Sequence, residues 1–265
     1  MYNTHEHRKS HKEAITVNNI QGILLFPMRD AEARKQFLIA CLVMLAAFII
    51  PVLPTFLLMG YTAKVMRQII DERKNPSMPA WQDIDWSETF VDGVKLYGAQ
   101  FVLMLPLLLL VVCGMASIFG GLMSMFLLAE EGTRPLGSIG IILLFAGAMF
   151  FVLFSLLSLP YSIILSAVAP HVAAKRSFSA GFDFKEWWQV FQKALGQFLL
   201  AYALSFVISF AFVLVMQIAL MTLILICIVP FVMIPYSAYL MLVTNALYAQ
   251  AYSAGRDALQ AESAA

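Results

Sequence analysis

The stretch IIPVLP, residues 49–54, interrupts an apolar run that extends from residue 37 to residue 60. Proline cannot donate to the hydrogen-bond ladder of a helix, and it disfavours helical geometry in the residue before it. The run therefore has two alternative structures. Either it crosses a membrane once as a kinked helix, or the chain turns back at the prolines and returns to the side from which it came.

Composition predicts that the chain is an integral membrane protein whose first partner is the lipid bilayer. Apolar residues make up 61% of the sequence and charged residues only 12%. Soluble domains are nearer to half apolar and a quarter charged. The 17 Lys and Arg residues almost balance the 16 Asp and Glu residues, so the net charge of +1 gives no reason to expect nucleic acid as a partner.

Long apolar tracts predict the membrane-spanning helices, because a run of about 20 apolar residues spans the hydrocarbon core. The tracts cover residues 37–60, 96–129, 136–174 and 194–252. The last tract is long enough for two helices, and we expect its reversal at residues 219–222. A polar turn, EEGTRPLGS at residues 130–138, joins the second and third tracts into one helical hairpin.

The distribution of basic residues favours a turn at the prolines of the first tract. Cytoplasmic loops are enriched in Lys and Arg. If the first tract turns back, all of the 17 basic residues except Arg134 lie on one side of the membrane. If the tract crosses once, neither side has a clear excess. We therefore predict a short, Pro-broken, re-entrant first hairpin in the cell membrane, with both termini cytoplasmic, and keep the kinked single span as the alternative.

Prolines also precede the returning helices of the other two hairpins. The triplet Pro-Tyr-Ser occurs at residues 160–162 and again at residues 235–237. This weak repeat predicts helix breaks at four positions, which are Pro51, Pro54, Pro160 and Pro235. It also favours three hairpins that open from the same side of the membrane.

Two connectors on the predicted cytoplasmic side contain all four tryptophans. Residues 76–95 and 180–193 mix aromatic and aliphatic side chains with acidic and basic ones. Aromatic rings with a polar edge favour the headgroup level of a bilayer, so both segments are predicted to be interfacial amphipathic helices. Ordinary anchoring at the membrane interface is the alternative to a docking role.

The predicted fold is therefore an all-α polytopic transmembrane helical bundle. A polar tail at residues 1–30 precedes a single membrane domain at residues 31–256, and a second tail covers residues 257–265. The domain contains, in chain order, a hairpin at 31–70, an interfacial segment at 76–95, a hairpin at 96–174, an interfacial segment at 180–193 and a hairpin at 194–252.

No motif for catalysis, cofactor binding or metal binding is present, so we predict that the chain is not an enzyme and has no cofactor. The sequence has no GxSxG, P-loop or HExxH pattern. His5, His7 and His11 lie in a polar tail without a nearby cysteine, which favours a solvated tail over a metal site. Ser, Thr, Asn and Gln residues in the later tracts more often mediate helix packing than line a substrate route.

Basic residues and tryptophans cluster on the predicted cytoplasmic face. This predicted binding surface consists of Lys64, Arg67, Arg73, Lys74, Trp81, Trp86, Lys175, Arg176, Trp187 and Trp188. Such a cluster attracts anionic lipid or a membrane or cytoplasmic protein, although orientation of the chain alone also explains it. We predict a membrane scaffold or a lipid- or protein-binding component. The alternative is a passive channel or carrier for a small solute that uses Pro-broken helices.

The order of these segments resembles a known family. Its most specific part is a Gly-Tyr…Arg…Pro…Pro…Trp…Asp-Gly pattern, followed by Phe182 and Phe184. The pattern residues are Gly60, Tyr61, Arg67, Pro76, Pro79, Trp81, Asp92 and Gly93. Over residues 20–256 the chain is similar to the prokaryotic membrane family catalogued as domain of unknown function 4013. The resemblance implies a membrane protein without an established activity, and no catalytic residue comes with it.

Overall fold

The computed structural model describes residues 17–73, 75–129, 134–221 and 229–264. The regular structure of these residues is helical and includes no strand, which confirms the all-α prediction. The helices are α1 (Val17–Leu25), α2 (Ala31–Leu45), α3 (Leu53–Ile70), α4 (Trp86–Ala129), α5 (Arg134–Leu165), α6 (Val168–Lys175), α7 (Phe184–Lys193), α8 (Leu195–Leu220) and α9 (Val229–Ser263).

The chain groups into two compact units. The first consists of the described residues of Met1–Gln100 and Ser166–Ala265, and the second of the described residues of Phe101–Leu165. The boundary between them falls within α4. That residues 31–256 form a single membrane domain stays a prediction.

Four candidate membrane spans are found among the described residues, by length and composition. They are Trp86–Phe126, Ile139–Lys175, Leu195–Leu220 and Phe231–Ser263. Large apolar side chains on these spans are exposed, as shown by Phe126, Phe145 and Ile218, which are 71%, 74% and 71% exposed. Lipid solvates such side chains better than water does, so the helices fit a multi-pass membrane protein.

The core of the first unit forms around α3 and α9. Tyr61 and Met66 of α3 and Leu242 and Leu247 of α9 have no exposed surface. Full burial of one such aliphatic side chain stabilises a fold by about 1.5–3 kcal/mol relative to water. Helix α9 also packs against α2, α6, α7 and α8, so it is the central element of this unit.

The first apolar tract is not one continuous helix. Helix α2 ends at Leu45, a 3₁₀ turn follows at Ala46–Phe48, and α3 begins at Leu53 with Pro54 in its first turn. Between the two helices, Val52 has a φ of 79°, a strained value for a β-branched residue. Helices α2 and α3 also pack against each other. The depth of this turn in a membrane stays a prediction.

In the second unit, α4 and α5 approach closely at glycines and run in opposite directions. A Cβ atom on Gly121 would lie 2.8 Å from the carbonyl oxygen of Gly140, and one on Gly147 would lie 2.9 Å from that of Gly114. Neither position has room for a side chain without a shift of backbone. Glycine therefore permits the contact between these two apolar helices.

Two predicted helix breaks need correction. Pro160 lies inside α5, and Pro235 lies inside α9. A proline inside a helix removes one ladder hydrogen bond, yet the other bonds maintain the helix when packing or lipid favours it. The third apolar tract is divided instead at residues 166 and 167, between α5 and α6.

The predicted interfacial segments also differ from each other. From Trp86 onward, residues 76–95 are the first part of α4 and not a separate helix, because no breaker separates them from the apolar tract. Asp85 accepts a hydrogen bond from the Glu88 amide at 3.1 Å where α4 begins. In residues 180–193, by contrast, α7 is a separate short helix, and the side chain of Asp183 caps it.

The reversal expected near residues 219–222 falls where α8 ends, at Leu220. Residues 222–228, the connector residues 130–133, Lys74 and the three histidines of the N-terminal tail lie outside the described residues.

Candidate functional site

The residues of the family pattern meet where α3 crosses the beginning of α4. Tyr61 stacks on Trp81 with ring centroids 4.4 Å apart and donates a hydrogen bond to the carbonyl oxygen of Pro79 at 2.7 Å. The backbone amide and the indole nitrogen of Trp81 donate to Gln36 at 3.1 Å and 2.9 Å. The loop between α3 and α4 is therefore fixed against both α2 and α3.

Gly60 and Gly93 allow α3 and α4 to touch backbone to backbone. A Cβ atom on Gly60 would overlap the carbonyl oxygen of Thr89, and one on Gly93 would overlap that of Phe56. Both glycines are therefore required by a close approach of two helices. This explains the Gly-Tyr and Asp-Gly parts of the pattern as packing features.

A buried ion pair joins the same two helices. Arg67 Nη1 lies 2.7 Å from Asp92 Oδ2, and the two side chains are only 9% and 6% exposed. Lys95 Nζ lies 3.8 Å from the other oxygen of Asp92. Arg67 belongs to the interior of the first unit. Its assignment to the predicted binding surface is wrong, because its guanidinium cannot reach a lipid or a protein partner.

Carboxylates pair with three further cations of the predicted binding surface. Arg73 pairs with Asp257, Lys175 with Glu186 at 2.7 Å, and Arg176 with Glu88 at 3.3 Å. Lys64 is partly buried. Each paired carboxylate offsets the attraction that its cation exerts on an anionic headgroup. The cluster therefore carries less free positive charge than the sequence suggests.

The four tryptophans fall into two groups. Trp81 and Trp187 are 3% exposed, so their place on the predicted binding surface is also wrong, whereas Trp86 and Trp188 are 50% and 36% exposed. Trp187 donates a hydrogen bond from its indole nitrogen to the carbonyl oxygen of Gly181 at 3.2 Å. The hydrophobic effect buries one ring of each neighbouring pair, and the other remains available for the headgroup level of a bilayer.

His171 lies in a polar cluster that connects α6, α7 and α9. Its Nδ1 atom is 2.8 Å from the hydroxyl of Tyr252, and its Nε2 atom is 3.7 Å from Glu186 Oε2. A hydrogen bond from Lys175 lowers the pKa of the Glu186 carboxyl. The His171 side chain is 2% exposed, so its imidazole is a packing group in the interior, whereas the Glu186 side chain is 47% exposed.

A cleft with a volume of about 460 Å³ lies between α8 and α9. We call it the α8–α9 cleft. Its hydroxyl and amide groups belong to Ser205, Ser209, Ser237, Thr244 and Asn245 and to the tyrosines Tyr202, Tyr236 and Tyr248. Tyr202, Tyr236, Tyr248 and Phe206 add aromatic rings, and none of the described lining residues is charged. The lining is thus mainly apolar and aromatic, with several hydroxyl and amide groups among helices that have the composition of membrane spans.

Sequence reasoning assigned these polar residues to helix packing and missed the cleft. The available signal is their spacing: Tyr202, Ser205 and Ser209 recur at intervals of three and four along α8, which places them on one face. Thr244 and Tyr248 do the same along α9. The sequence does not reveal that the two faces lie opposite each other with a gap between them.

Four of the polar side chains in the cleft direct their donors into their own helix. Ser205, Ser209 and Ser237 each donate to a backbone carbonyl four residues earlier, at 2.9, 2.8 and 2.7 Å. The Asn245 amide nitrogen donates to the carbonyl of Met241 at 2.8 Å. Among the described residues, Thr244 Oγ1 is a buried atom without a hydrogen-bond partner.

Pro235 leaves one backbone carbonyl of α9 without its helical donor. Proline has no backbone N–H, so the carbonyl of Phe231, four residues earlier in α9, lacks its usual helical donor. Tyr236 and Ser237 follow Pro235 directly and line the cleft.

Among the described residues, no cluster of three or more His, Cys, Asp or Glu side chains is suited to hold a metal ion.

Comparison with known proteins gives one match. A family model described as "Protein of unknown function (DUF4013)" matches residues 43–221, which confirms the resemblance inferred from the pattern residues. No curated protein and no solved structure matches the chain.

Proposed function

The chain belongs to the family of unknown function DUF4013, and from that premise we propose that it is a membrane-embedded binding component whose site is the α8–α9 cleft. Its ligand is an uncharged amphipathic molecule that enters from the bilayer. The observation that carries this proposal is a cleft, between two helices of apolar composition, whose mainly apolar lining includes several hydroxyl and amide groups.

The size and lining of the cleft support a ligand site. Small-molecule sites have volumes of about 300–1,000 Å³, and they combine apolar and aromatic walls with a few polar groups. The volume of about 460 Å³ lies within this range. Leu240, Met241 and Phe206 supply apolar wall, next to the hydroxyl and amide groups.

The absence of charge among the described lining residues supports an uncharged ligand. A charged group at membrane depth requires a counter-charge or water, because hydrocarbon does not solvate it. Hydroxyls and one carboxamide satisfy alcohol, ester or amide groups instead. A phospholipid headgroup with a net charge would lack its partner in this cleft.

We also propose that the chain is not an enzyme. A serine or threonine hydroxyl becomes a nucleophile when a base such as His, Lys or a carboxylate activates it. The described lining of the α8–α9 cleft contains no such base beside Ser205, Ser209, Ser237 or Thr244. Binding without turnover is the function that this chemistry supports.

Exposed aromatic rings support a further part of the proposal, which is anchoring at the headgroup level. Trp188 and Phe184 of α7 are 36% and 54% exposed, next to the buried Trp187. An amphipathic helix of this kind lies in the plane of an interface. We place this face on the cytoplasmic side of the cell membrane. A membrane or cytoplasmic protein that docks there remains the alternative occupant of the exposed surface.

Retention of lipid tests the binding proposal. The full chain, purified in mild detergent, is compared with its Ser237→Val and Asn245→Leu variants by native mass spectrometry of co-purified uncharged lipid. We expect each variant to retain about fivefold less lipid, in line with the loss of one or two hydrogen bonds. Equal retention in the wild type and both variants contradicts the proposal.

Ser155→Val is the matched control. Ser155 is exposed on α5, outside the cleft, and like Ser237 it donates to the carbonyl four residues earlier, at 2.8 Å. The control therefore removes the same kind of intrahelical hydrogen bond at an exposed site in a candidate span. Its lipid retention should equal that of the wild type.

Pro235 favours a second candidate function, which is a passive carrier for a small uncharged solute. A proline inside a helix leaves one backbone carbonyl without its helical donor, and free backbone carbonyls contribute to solute sites in transporters. In liposomes, flux of a neutral solute such as glycerol that falls in the Ser237→Val and Asn245→Leu variants would support the carrier. Lipid retention without flux would support binding alone.

A further inference from the structure

We infer that Thr244 holds the polar group of the ligand near the middle of the membrane, so that the ligand is a molecule that dissolves wholly in the hydrocarbon core. Such a molecule carries one small uncharged polar group on an apolar body, in contrast to a bilayer lipid whose head group stays at the interface. This inference rests on the binding function proposed above. It adds the anchoring residue and the chemical class of the ligand.

The first step is that α8 and α9 run in opposite directions along the cleft. At one end, Tyr248 of α9 lies beside Tyr202 and Ser205 of α8. At the other end, the ring of Tyr236 stacks on that of Phe212, with an angle of 3° between the ring planes. Residue numbers therefore rise along α8 while they fall along α9, and depths on the two helices can be compared.

The second step is the depth of the cleft in the membrane. The sequence between Lys193 and Arg256 contains no charged residue, and both cations pair with carboxylates, at 2.7 and 3.1 Å. Charged pairs of this kind lie outside the hydrocarbon. Ser205 lies about 18 Å along the helix from Lys193, and Thr244 lies about 18 Å from Arg256. Because the core is about 30 Å thick, both residues lie near its middle.

The third step is that the hydroxyl of Thr244 lacks a partner. Among the described residues, its buried Oγ1 atom has no hydrogen bond. The serines of the lining and Asn245 already donate to backbone carbonyls of their own helices. A buried hydroxyl without a partner costs free energy, and a ligand group that bonds there removes this cost.

The lining does not select between donors and acceptors of hydrogen bonds. A threonine hydroxyl both donates and accepts, and the phenolic hydroxyls of the lining tyrosines do so as well. An alcohol, a ketone or an ester therefore satisfies Thr244. The chemical class of the ligand follows from depth and not from the direction of one hydrogen bond.

Depth limits the size of the polar group. The head group of a glyceride stays at the interface, where water satisfies several polar groups at once. Moving it about 15 Å into the core removes this water, and burial of each polar group without a partner costs free energy. A molecule with one alcohol, ketone or ester group loses far less, and a hydrogen bond to Thr244 offsets the loss. Phe206, Leu240 and Met241 supply apolar wall for its body.

Three probes test the chemical class on the full chain in nanodiscs. Oleyl alcohol and methyl oleate each carry one small polar group, whereas 1-oleoylglycerol carries an ester and two hydroxyls on the same kind of chain. Occupancy is measured by native mass spectrometry at matched probe concentration in the membrane. We expect each small probe to occupy the cleft about fivefold more than 1-oleoylglycerol, as the loss of one or two hydrogen bonds to water implies.

Two variants at one position test the anchor. Thr244→Val keeps the shape of the side chain and removes its hydroxyl, whereas Thr244→Ser keeps the hydroxyl. We expect Thr244→Val to lower the occupancy of both small probes about fivefold, and Thr244→Ser to keep it within about twofold of the wild type. Ser155→Val, outside the cleft, should leave occupancy unchanged. Thermal unfolding in detergent checks that every variant is folded.

The outcomes separate the inference from the proposed function. If Asn245→Leu lowers probe occupancy but Thr244→Val does not, the cleft binds ligand without Thr244 as its anchor, and the inference is wrong. Occupancy by 1-oleoylglycerol that equals that of the small probes, and that falls in the cleft variants, also overturns it, because the cleft then accepts a large head group. If no probe responds to any cleft variant, the proposed function itself is wrong.

Discussion

Arg67 and Arg73 lie close together in the sequence, yet they have different surroundings. The Arg67 side chain is 9% exposed and is paired with Asp92, whereas the Arg73 side chain is 39% exposed and is paired with Asp257. Counting basic residues for membrane orientation treats both as surface cations. The difference arises because a partner on another helix decides whether a guanidinium can be buried.

Removal of one partner tests this difference at the residue scale. Arg67→Ala should lower the free energy of unfolding by about 3–5 kcal/mol, because it removes the close partner of the buried Asp92 carboxylate and leaves only Lys95, 3.8 Å from its other oxygen. Arg73→Ala should cost about 0–1 kcal/mol, as is usual for exposed pairs. The measurement is denaturant unfolding in detergent, and equal losses in the two variants would contradict the burial of Arg67.

A double variant serves as the control for that result. Replacing both charges, as in Arg67→Met with Asp92→Leu, should restore much of the lost stability, since no isolated charge remains in the interior. If the double variant is as unstable as Arg67→Ala, lost packing and not the unpaired carboxylate explains the effect.

The pairing of Glu186 with Lys175 predicts a dependence on pH. The hydrogen bond from Lys175 lowers the pKa of the Glu186 carboxyl in the folded state. Its contribution to stability is therefore complete above the ordinary pKa of about 4.3 and is lost as the pH falls through the lowered value. The unfolding free energy should decline more steeply below about pH 4 in the wild type than in Glu186→Gln. Parallel pH curves would contradict the pair.

At the scale of elements, glycine decides how the apolar helices of each unit approach. In the first unit Gly60 and Gly93 bring α3 and α4 into backbone contact, and in the second unit Gly121 and Gly140 do so for α4 and α5. A leucine-rich helix face packs about equally well against lipid and against any other apolar helix, so it does not specify a partner. Small residues specify a partner because they alone permit close backbone contact.

Neighbouring glycines of α4 provide a matched test of this packing. A Cβ atom on Gly121 would lie 2.8 Å from a backbone oxygen, whereas one on Gly120 would meet only a Leu143 methyl at 3.7 Å. Gly121→Ala should destabilise the protein by about 1–3 kcal/mol through overpacking. Gly120→Ala should be neutral or stabilising by up to about 1 kcal/mol. Thermal unfolding in detergent measures both, and the reverse order would exclude the close contact.

The continuous helices α5 and α9 show why a proline pattern alone is a weak signal. Pro160 and Pro235 each occur in a Pro-Tyr-Ser triplet, and both lie inside a helix. Pro54, by contrast, lies in the first turn of α3, where a missing N–H has no intrahelical partner to lose. The length of apolar helix on each side, and not the residue type, distinguishes the two cases.

At the scale of the whole molecule, charged pairs join the C-terminal ends of α3 and α9 within the first unit. Arg256 of α9 pairs with Asp71 at 3.1 Å, directly after α3, and Arg73 pairs with Asp257. These pairs hold the end of α9 next to the end of α3. Arg73 and Arg256 are far apart in the sequence and are counted separately when basic residues are assigned to membrane sides, yet they are neighbours on one face of the first unit.

Sidedness is the property of the whole chain on which the proposed cytoplasmic anchoring of α7 depends. Single cysteines at Ser10, Thr133 and Ser179, in a background without the native cysteines, report which segments a membrane-impermeant thiol reagent reaches in intact cells. If the first tract turns back, only the Thr133 variant should be labelled. Labelling of Ser179 without Thr133 would indicate a single crossing and would place the exposed rings of α7 outside the cell.

The sequence alone determined the class of the fold and the family. Apolar content and the long uncharged tracts specify membrane helices, because the bilayer requires every backbone group to be satisfied within a helix. The pattern from Gly60 to Gly93 identified the family for a similar reason: its residues serve one local crossing between α3 and α4. Both the apolar tracts and the family pattern are formed by residues that are close together in the sequence.

Tertiary structure alone decided which polar residues are satisfied and which face a cavity. Arg67, Trp81 and Trp187 are buried because their partners come from other segments, and no count along the chain reveals this. Ser205 on α8 and Asn245 on α9 form one cleft because the two helices pack together. Apolar content and hydropathy are properties of the residues themselves and can be read along the chain. Burial, ion pairing and the shape of a cavity depend on distances between residues that are far apart in the sequence.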